Sequence, residues 1–307
     1  MSRFLKALHS GRVLLMDGAM GTELQKRGLK DGENAAAWNL LHPDEVAAVH
    51  RAYREAGAKV LLTNTFMLYC STFSDTIFAS GRPSYSQGEV WEAAYNLLGP
   101  KVPRIYRIVS HSPVWGSPGP IEFEDLDKPV PLRIPFHAPF MKRFYKPAHA
   151  VLLETCSTPR FEQAIPCIRK AYKGPILLSL TYLRNERGEL ATRSGHTPEW
   201  FAERAAPCGV AALGVNCGRD IDMDDVIAII RRYRAVTDLP LFARPNAGTP
   251  QREGGRWVYP HTPKQMAERL PALLEAGVCM VGGCCGTTPE HIAAFREVVD
   301  RWNACRG

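Results

Sequence analysis

Val278-Cys279-Met280-Val281-Gly282-Gly283-Cys284-Cys285-Gly286-Thr287-Thr288-Pro289 is an apolar run, a glycine-framed cluster of small and polar residues, and then a proline. A short apolar run bounded by glycine reads as a strand buried on both faces. The proline marks the first turn of a helix, here Pro289–Trp302. The same unit recurs along the chain. Apolar runs at Val13–Met16, Val60–Leu62, Ala150–Leu153, Ile176–Leu180, Ala211–Val215 and Leu239–Ala243 alternate with amphipathic stretches at Pro43–Ala56, Pro159–Ala171, Met223–Val236 and Pro263–Ala276. Strands that alternate with helical crossovers predict a parallel sheet. No G-x-G-x-x-G follows the first run, and residues 67–147 leave room for one more strand. The expected fold is therefore of the α/β class, a closed (β/α)8 TIM barrel made by residues 1–307 as a single domain, rather than an open dinucleotide-binding sheet.

Residues 67–147 form the irregular part of this reading. Arg82–Pro83, Pro113–Pro120 and Pro129–Pro139 are rich in proline, which removes ladder donors and breaks helices. Around Arg104–Ser110 lies the candidate third strand. The remainder reads as a divergent lid or a partly disordered segment.

Composition narrows the function classes. The chain is 45% hydrophobic and 22% charged, the balance of a globular protein with a packed core. In the opening MSRFLKALHSGRVLLMDGAM, Lys6, His9, Arg12 and Asp17 interrupt every apolar stretch, so neither a secretory h-region nor a membrane span is expected and the location should be cytoplasmic. Nine cysteines in such a chain point to reduced thiols, metal ligation or catalysis. Cys167, Cys208 and Cys305 read as small buried hydrophobes. The formal charge of +7 does not imply nucleic-acid binding. Its densest cluster, Arg231, Arg232 and Arg234, suits a helix C-terminus, and no aromatic and basic stripe accompanies it.

Each strand run ends in small or polar residues. These are Asp17–Gly21, Thr63-Asn64-Thr65, Glu154-Thr155-Cys156, Asn216-Cys217-Gly218, Pro245–Gly248 and Gly282–Gly286. In a barrel these ends converge on one mouth, where active sites are built. Adjacent side chains point opposite ways on a regular strand, so Cys284 and Cys285 face one metal only if the backbone departs from strand geometry, which glycine permits. Cys217 offers a third sulfur at the same mouth. Three soft sulfurs select zinc and leave the fourth tetrahedral position open, as in catalytic zinc sites. Packing residues or a redox pair are the alternatives for the adjacent cysteines taken alone. Asn64, Asn216 and Asn246 are expected to shape the mouth by bonding to backbone.

Asp17–Thr22 with Gly28, Ala56-Gly57-Ala58 followed by Thr63–Phe66, Glu154-Thr155-Cys156, Gly214–Cys217, Pro245–Gly248 and Gly282–Pro289 with His291-Ile292 together resemble the homocysteine S-methyltransferase family. The likeness covers residues 11–66 and 148–301. It implies a (β/α)8 barrel, zinc on Cys217, Cys284 and Cys285, and homocysteine as methyl acceptor. It also implies that Asp17 and Glu154 help bind the substrate ammonium while the backbone N–H groups of Gly18 and Ala19 face its carboxylate. Both assignments suit the chemistry of carboxylates and of glycine-rich turns.

Zinc would hold the homocysteine sulfur as thiolate for attack on an activated methyl group, giving methionine. Family donors range from S-methylmethionine, S-adenosylmethionine and betaine to methyltetrahydrofolate through cobalamin. Gly286 and the Pro245–Gly248 wording are similar to the homocysteine domain of cobalamin-dependent methionine synthases. A chain of this length has no space for folate or cobalamin domains, so the partner is a small methyl donor or a separate methyl-cobalamin protein. Three readings stand: a free-standing methyltransferase, a homocysteine-binding zinc module that is inert without a cobalamin partner, and a degenerate barrel without catalysis in which the zinc is structural or absent, a reading prompted by the divergence of residues 67–147.

Overall fold

The computed structural model describes residues 1–68, 87–112, 139–218, 220–253 and 256–306. Eight parallel strands form one sheet: β1 (Leu14–Leu15), β2 (Val60–Leu62), β3 (Tyr106–His111), β4 (Ala150–Cys156), β5 (Ile176–Leu180), β6 (Ala212–Asn216), β7 (Leu241–Arg244) and β8 (Val278–Val281). Each pairs with the next in chain order, and β8 pairs with β1 through Leu14 opposite Met280. A parallel bridge between Met16 and Val60 closes the ring. The expected (β/α)8 barrel is the fold observed.

The third strand lies where it was placed, with Ile108 opposite both Leu62 and Ala150. With this strand paired on both sides, the divergence of residues 67–147 does not interrupt the barrel. Within the stretch read as irregular, Gln87–Leu97 and Pro139–Tyr145 are helices, while the expectations for residues 69–86 and 113–138 fall outside the described residues. The Pro198–Ala205 helix, not anticipated, opens on Thr197, whose side chain accepts from the Trp200 N–H.

Strand alternation sorts the core into two clusters. Met16, Val60, Leu62, Tyr106, Ile108, Ala150, Leu152, Leu177, Ala212, Phe242 and Met280 fill the barrel, joined by Phe4 and Leu8 of a short N-terminal helix, Arg3–Leu8. The residues between them, such as Val151, Leu153, Leu178, Leu213, Leu241 and Ala243, face the surrounding helices. Carried one step toward the C-terminal mouth, the inward alternation Ile108, Leu152, Leu177, Gly214 and Phe242 arrives at Ser110, Glu154, Ser179, Asn216 and Arg244. All five are buried and polar. The barrel interior thus changes from an apolar plug to a polar floor at the end where a TIM barrel carries its chemistry.

The reading of three cysteines changes. Cys167 and Cys208 are half-buried rather than buried, and Cys305 is exposed beyond the Pro289–Ala304 helix. The arginines of the Met223–Arg234 helix do sit at a helix C-terminus: Arg232 pairs with Glu199, and Arg234 donates to the carbonyls of Thr237 and Leu239. Among the described residues no helix is long and apolar enough to cross a membrane.

Candidate metal centre and substrate pocket

The sulfurs of Cys217, Cys284 and Cys285 lie within 4.8 Å of one another, although they come from β6 and from the segment after β8. Cys217 and Cys285 are 3.9 Å apart, sulfur to sulfur. A tetrahedral zinc with bonds of about 2.3 Å sets its sulfurs roughly 3.8 Å apart, so the cluster needs little movement to hold one ion. The three are free thiols, and all of them line the adjoining cavity.

Backbone geometry brings the three together. Cys217 stands at φ 55°, left-handed for a non-glycine residue, which turns its side chain out of the β6 alternation. After β8 the chain stays zipped to both neighbours: Gly282 N–H donates to Ala243 O (3.0 Å), Gly283 N–H to Asp17 O (3.0 Å) and Cys284 N–H to Pro245 O (2.8 Å). A Cβ on Gly282 would sit 2.5 Å from Asp17 O and 2.6 Å from Met16 Cβ, so only glycine allows this approach. Gly286 then reverses the chain at φ 79°, against the ring of Tyr259.

Hydrogen bonding with Cys284 and Cys285 holds the Cys217 pKa well below that of a free thiol, while the Cys217 sulfur beside them raises those of Cys284 and Cys285. Asn216 Nδ2 donates to Cys284 Sγ (3.7 Å) and to Thr155 Oγ1 (2.8 Å), and its Oδ1 accepts from Ser179 Oγ (2.5 Å) and Thr155 N–H (3.1 Å). Asn64 donates to Ala35 O (2.7 Å) and Asn246 to Gly218 O (3.1 Å). Asn64 and Asn246 thus bond backbone as expected, whereas Asn216 also reaches a cysteine sulfur.

Beside the cluster is a cavity of about 330 Å³, lined among others by Asp17, Gly18, Ala19, Glu154, Arg244 and the three cysteines. That volume suits a small ligand. Asp17 Oδ2 accepts from Leu62 N–H (2.7 Å), and burial pushes the Asp17 pKa up to about 7 against the opposing pull of Arg244. Glu154 accepts from Ser110 Oγ (2.6 Å) and is paired with Arg244. Ala19 N–H donates to Thr287 Oγ1 (3.2 Å), and Gly18 N–H makes no hydrogen bond among the described residues. Tyr53 O–H donates to Ala19 O (2.7 Å) and Thr287 O (3.0 Å), tying the Asp17–Ala19 turn to the cysteine loop.

Sequence reading missed Arg244, Tyr53, Thr287 and Ser110. For Arg244 a signal existed: it keeps the inward parity of Phe242, so a charged residue was due inside the barrel. Nothing in the sequence alone pointed to Tyr53, which lies on a helix and reaches the mouth only through the length of its side chain.

The sequence pattern of the homocysteine S-methyltransferase family matches residues 14–299. The chain belongs to that family. Two similar homocysteine S-methyltransferase relatives are methionine synthases, of Mycobacterium leprae (strain TN), 31% identical over 95% of this chain, and of Mycobacterium tuberculosis (strain ATCC 25618 / H37Rv), 30% identical over 94%. The matches take in 25% and 24% of those proteins, so this chain spans about a quarter of their length. Among solved structures, the homocysteine methyltransferase MmuM of Escherichia coli in a metallated form has a TM-score of 0.70 at 23% identity, covering 96% of this chain and 99% of that one. The carboxyl transferase domain of Rhizobium etli pyruvate carboxylase shares the barrel at TM-score 0.54 and 15% identity, over 98% of this chain and 48% of that one. For a homocysteine S-methyltransferase barrel, these structural likenesses establish the fold alone.

Proposed function

We propose that this chain is a zinc-dependent homocysteine S-methyltransferase that forms methionine. The observation that carries the reading is the approach of three cysteine sulfurs to within 4.8 Å at the barrel mouth, on the wall of a cavity whose floor holds carboxylates. Cys217, Cys284 and Cys285 would hold the zinc, whose charge lowers the pKa of a homocysteine thiol at the fourth position and so supplies the nucleophile at neutral pH.

The chain's own residues do the rest. Asn216 orients the Cys284 sulfur, a contact of the kind that tunes metal affinity. Asp17, Gly18, Ala19 and Glu154 form the wall for the amino-acid end, with the Asp17 carboxylate facing the ammonium. Removing water from the pocket strengthens these contacts and directs the sulfur at the methyl carbon rather than into solvent. The methyl donor leaves as a neutral molecule when its sulfonium or ammonium is demethylated, so the site needs no general acid.

A second reading rests on one observation: the similar relatives are methionine synthases several times longer than this chain. In it, the barrel binds homocysteine and receives the methyl group from a separate methyl-cobalamin protein. Zinc per chain, followed by methionine formation with S-methylmethionine, S-adenosylmethionine, betaine and a methylcobalamin protein, tests both. Turnover with a small donor supports the free-standing enzyme, and turnover only with the cobalamin protein supports the module. Zinc-loaded protein inactive with every donor contradicts the proposal.

A further inference from the structure

The polar floor contains an arginine whose bonding is incomplete in a telling way. Arg244, at the end of β7, is 4% exposed and pairs with Glu154 through Nη1. Its Nη2 makes only a long contact to Gly18 O (3.5 Å) and stands 3.7 Å from Asp17 Oδ1. Among the described residues its Nε is buried without a hydrogen-bond partner, as is Asp17 Oδ1. Nε and Nη2 share the side-on edge of the guanidinium, the one that grips a carboxylate with two parallel bonds. A buried donor and a buried acceptor of opposite charge, each lacking a partner and close together, are costly alone.

An α-amino acid has the complementary pair. Resting on the homocysteine reading above, we propose that Arg244 is the carboxylate receptor of the substrate. The zwitterionic head spans the loose Asp17–Arg244 gap, with its carboxylate on the Nε–Nη2 edge and on Gly18 N–H, and its ammonium on Asp17 Oδ1. Glu154 is then a positioning residue: it fixes Nη1, with Ser110 holding its other oxygen, and aims the free edge of Arg244. This places the specificity for an α-amino acid thiol, over a simple amine or carboxylate thiol, in the floor of the barrel. The cysteines would select only for sulfur.

The test uses ligands without a thiol proton, so that it does not depend on zinc. Calorimetric binding of methionine, 3-(methylthio)propylamine (no carboxylate) and 4-(methylthio)butanoate (no ammonium) is compared on the full chain with and without zinc. Arg244→Gln should weaken methionine and 4-(methylthio)butanoate about ten- to a hundredfold, the range of a lost charge-assisted pair, and leave the amine unchanged or tighter. Arg244→Lys should recover part of the loss.

Because Arg244→Gln strands two buried carboxylates, the double variant Arg244→Gln with Glu154→Gln gives the same comparison in a protein with one charge pair removed whole. A parallel loss for all three ligands would make Arg244 a scaffold only, and unchanged methionine binding would remove it from the site; either overturns the proposal. Wild-type protein that binds none of the three would overturn the substrate reading itself, whatever its zinc content. Discrimination between the ligands in a zinc-free protein would keep Arg244 in its role while the metal reading failed.

Discussion

Gly282→Ala tests how closely the cysteine loop depends on its seat between β1 and β7. The added methyl would lie 2.5 Å from Asp17 O and 2.6 Å from Met16 Cβ, both fixed by the closing strand. Ordinary contacts need about 1 Å more, so β8 must shift from β1 and stretch the 3.0 Å bond from Gly283 N–H to Asp17 O. Overpacking of this kind costs about 1–3 kcal/mol and a lost buried hydrogen bond about 1 kcal/mol more. The sum, about 2–4 kcal/mol, corresponds to a fall in Tm of about 3–6 °C in a domain of this size. Because the same segment carries Cys284 and Cys285 two and three residues on, zinc affinity should fall about tenfold or more. Thermal unfolding of the apo and zinc-loaded forms, with a chelator titration, reads both effects. Gly21→Ala is the control, since nothing lies within 4 Å of its added methyl and it sits in a helix. A Gly282→Ala protein with the Tm and zinc affinity of the parent would refute the close-packing argument.

Asn216→Ala removes the donor to Cys284 and the bonds to Thr155 and Ser179; it should destabilise by about 2–3 kcal/mol and weaken zinc binding about tenfold, and unchanged chelator competition would rule out its support of the metal. Asp17, with its pKa raised to about 7, must ionise to bind an ammonium, so methionine binding should tighten roughly tenfold between pH 6 and pH 8; Asp17→Asn should be weaker and nearly flat over that window. His50 and His111 are buried, with pKa values lowered by desolvation to about 3 from 6.5. The unfolded chain takes up their protons below pH 6.5 and the folded chain does not until about 3, so their contribution is complete above pH 6.5 and is lost as pH falls through that window. The expected loss is about 2 kcal/mol for each histidine by pH 5, read from urea midpoints; His50→Phe should reduce the acid sensitivity by one proton's share.

The parts of the fold legible in the sequence were those that physics writes locally. Buried strands show as apolar runs, and capping residues mark helix starts, Thr262 before Pro263 and Asp222 before Met223. The cysteines were legible because the demands of metal binding fall on residue type and on strand end. The Gln87–Leu97 helix was hidden by its proline-rich surroundings, although Val90, Trp91, Ala94 and Leu98 mark a buried helical face. β4 extends to Cys156, past the point where the sequence turns polar, because the barrel's floor is polar and its ladder does not need apolar side chains. Arg244 escaped for the same reason: a charge inside a barrel contradicts the rule that strand interiors are apolar, and the rule fails where the pocket begins.

Zinc K-edge absorption spectroscopy on the zinc-loaded chain measures the coordination on which everything else depends. Three sulfur neighbours at about 2.3 Å are expected in the resting protein and a fourth on addition of homocysteine, with zinc content falling sharply in Cys217→Ser. Four protein sulfurs at rest, no added sulfur with homocysteine, or full zinc retention in Cys217→Ser would contradict this coordination.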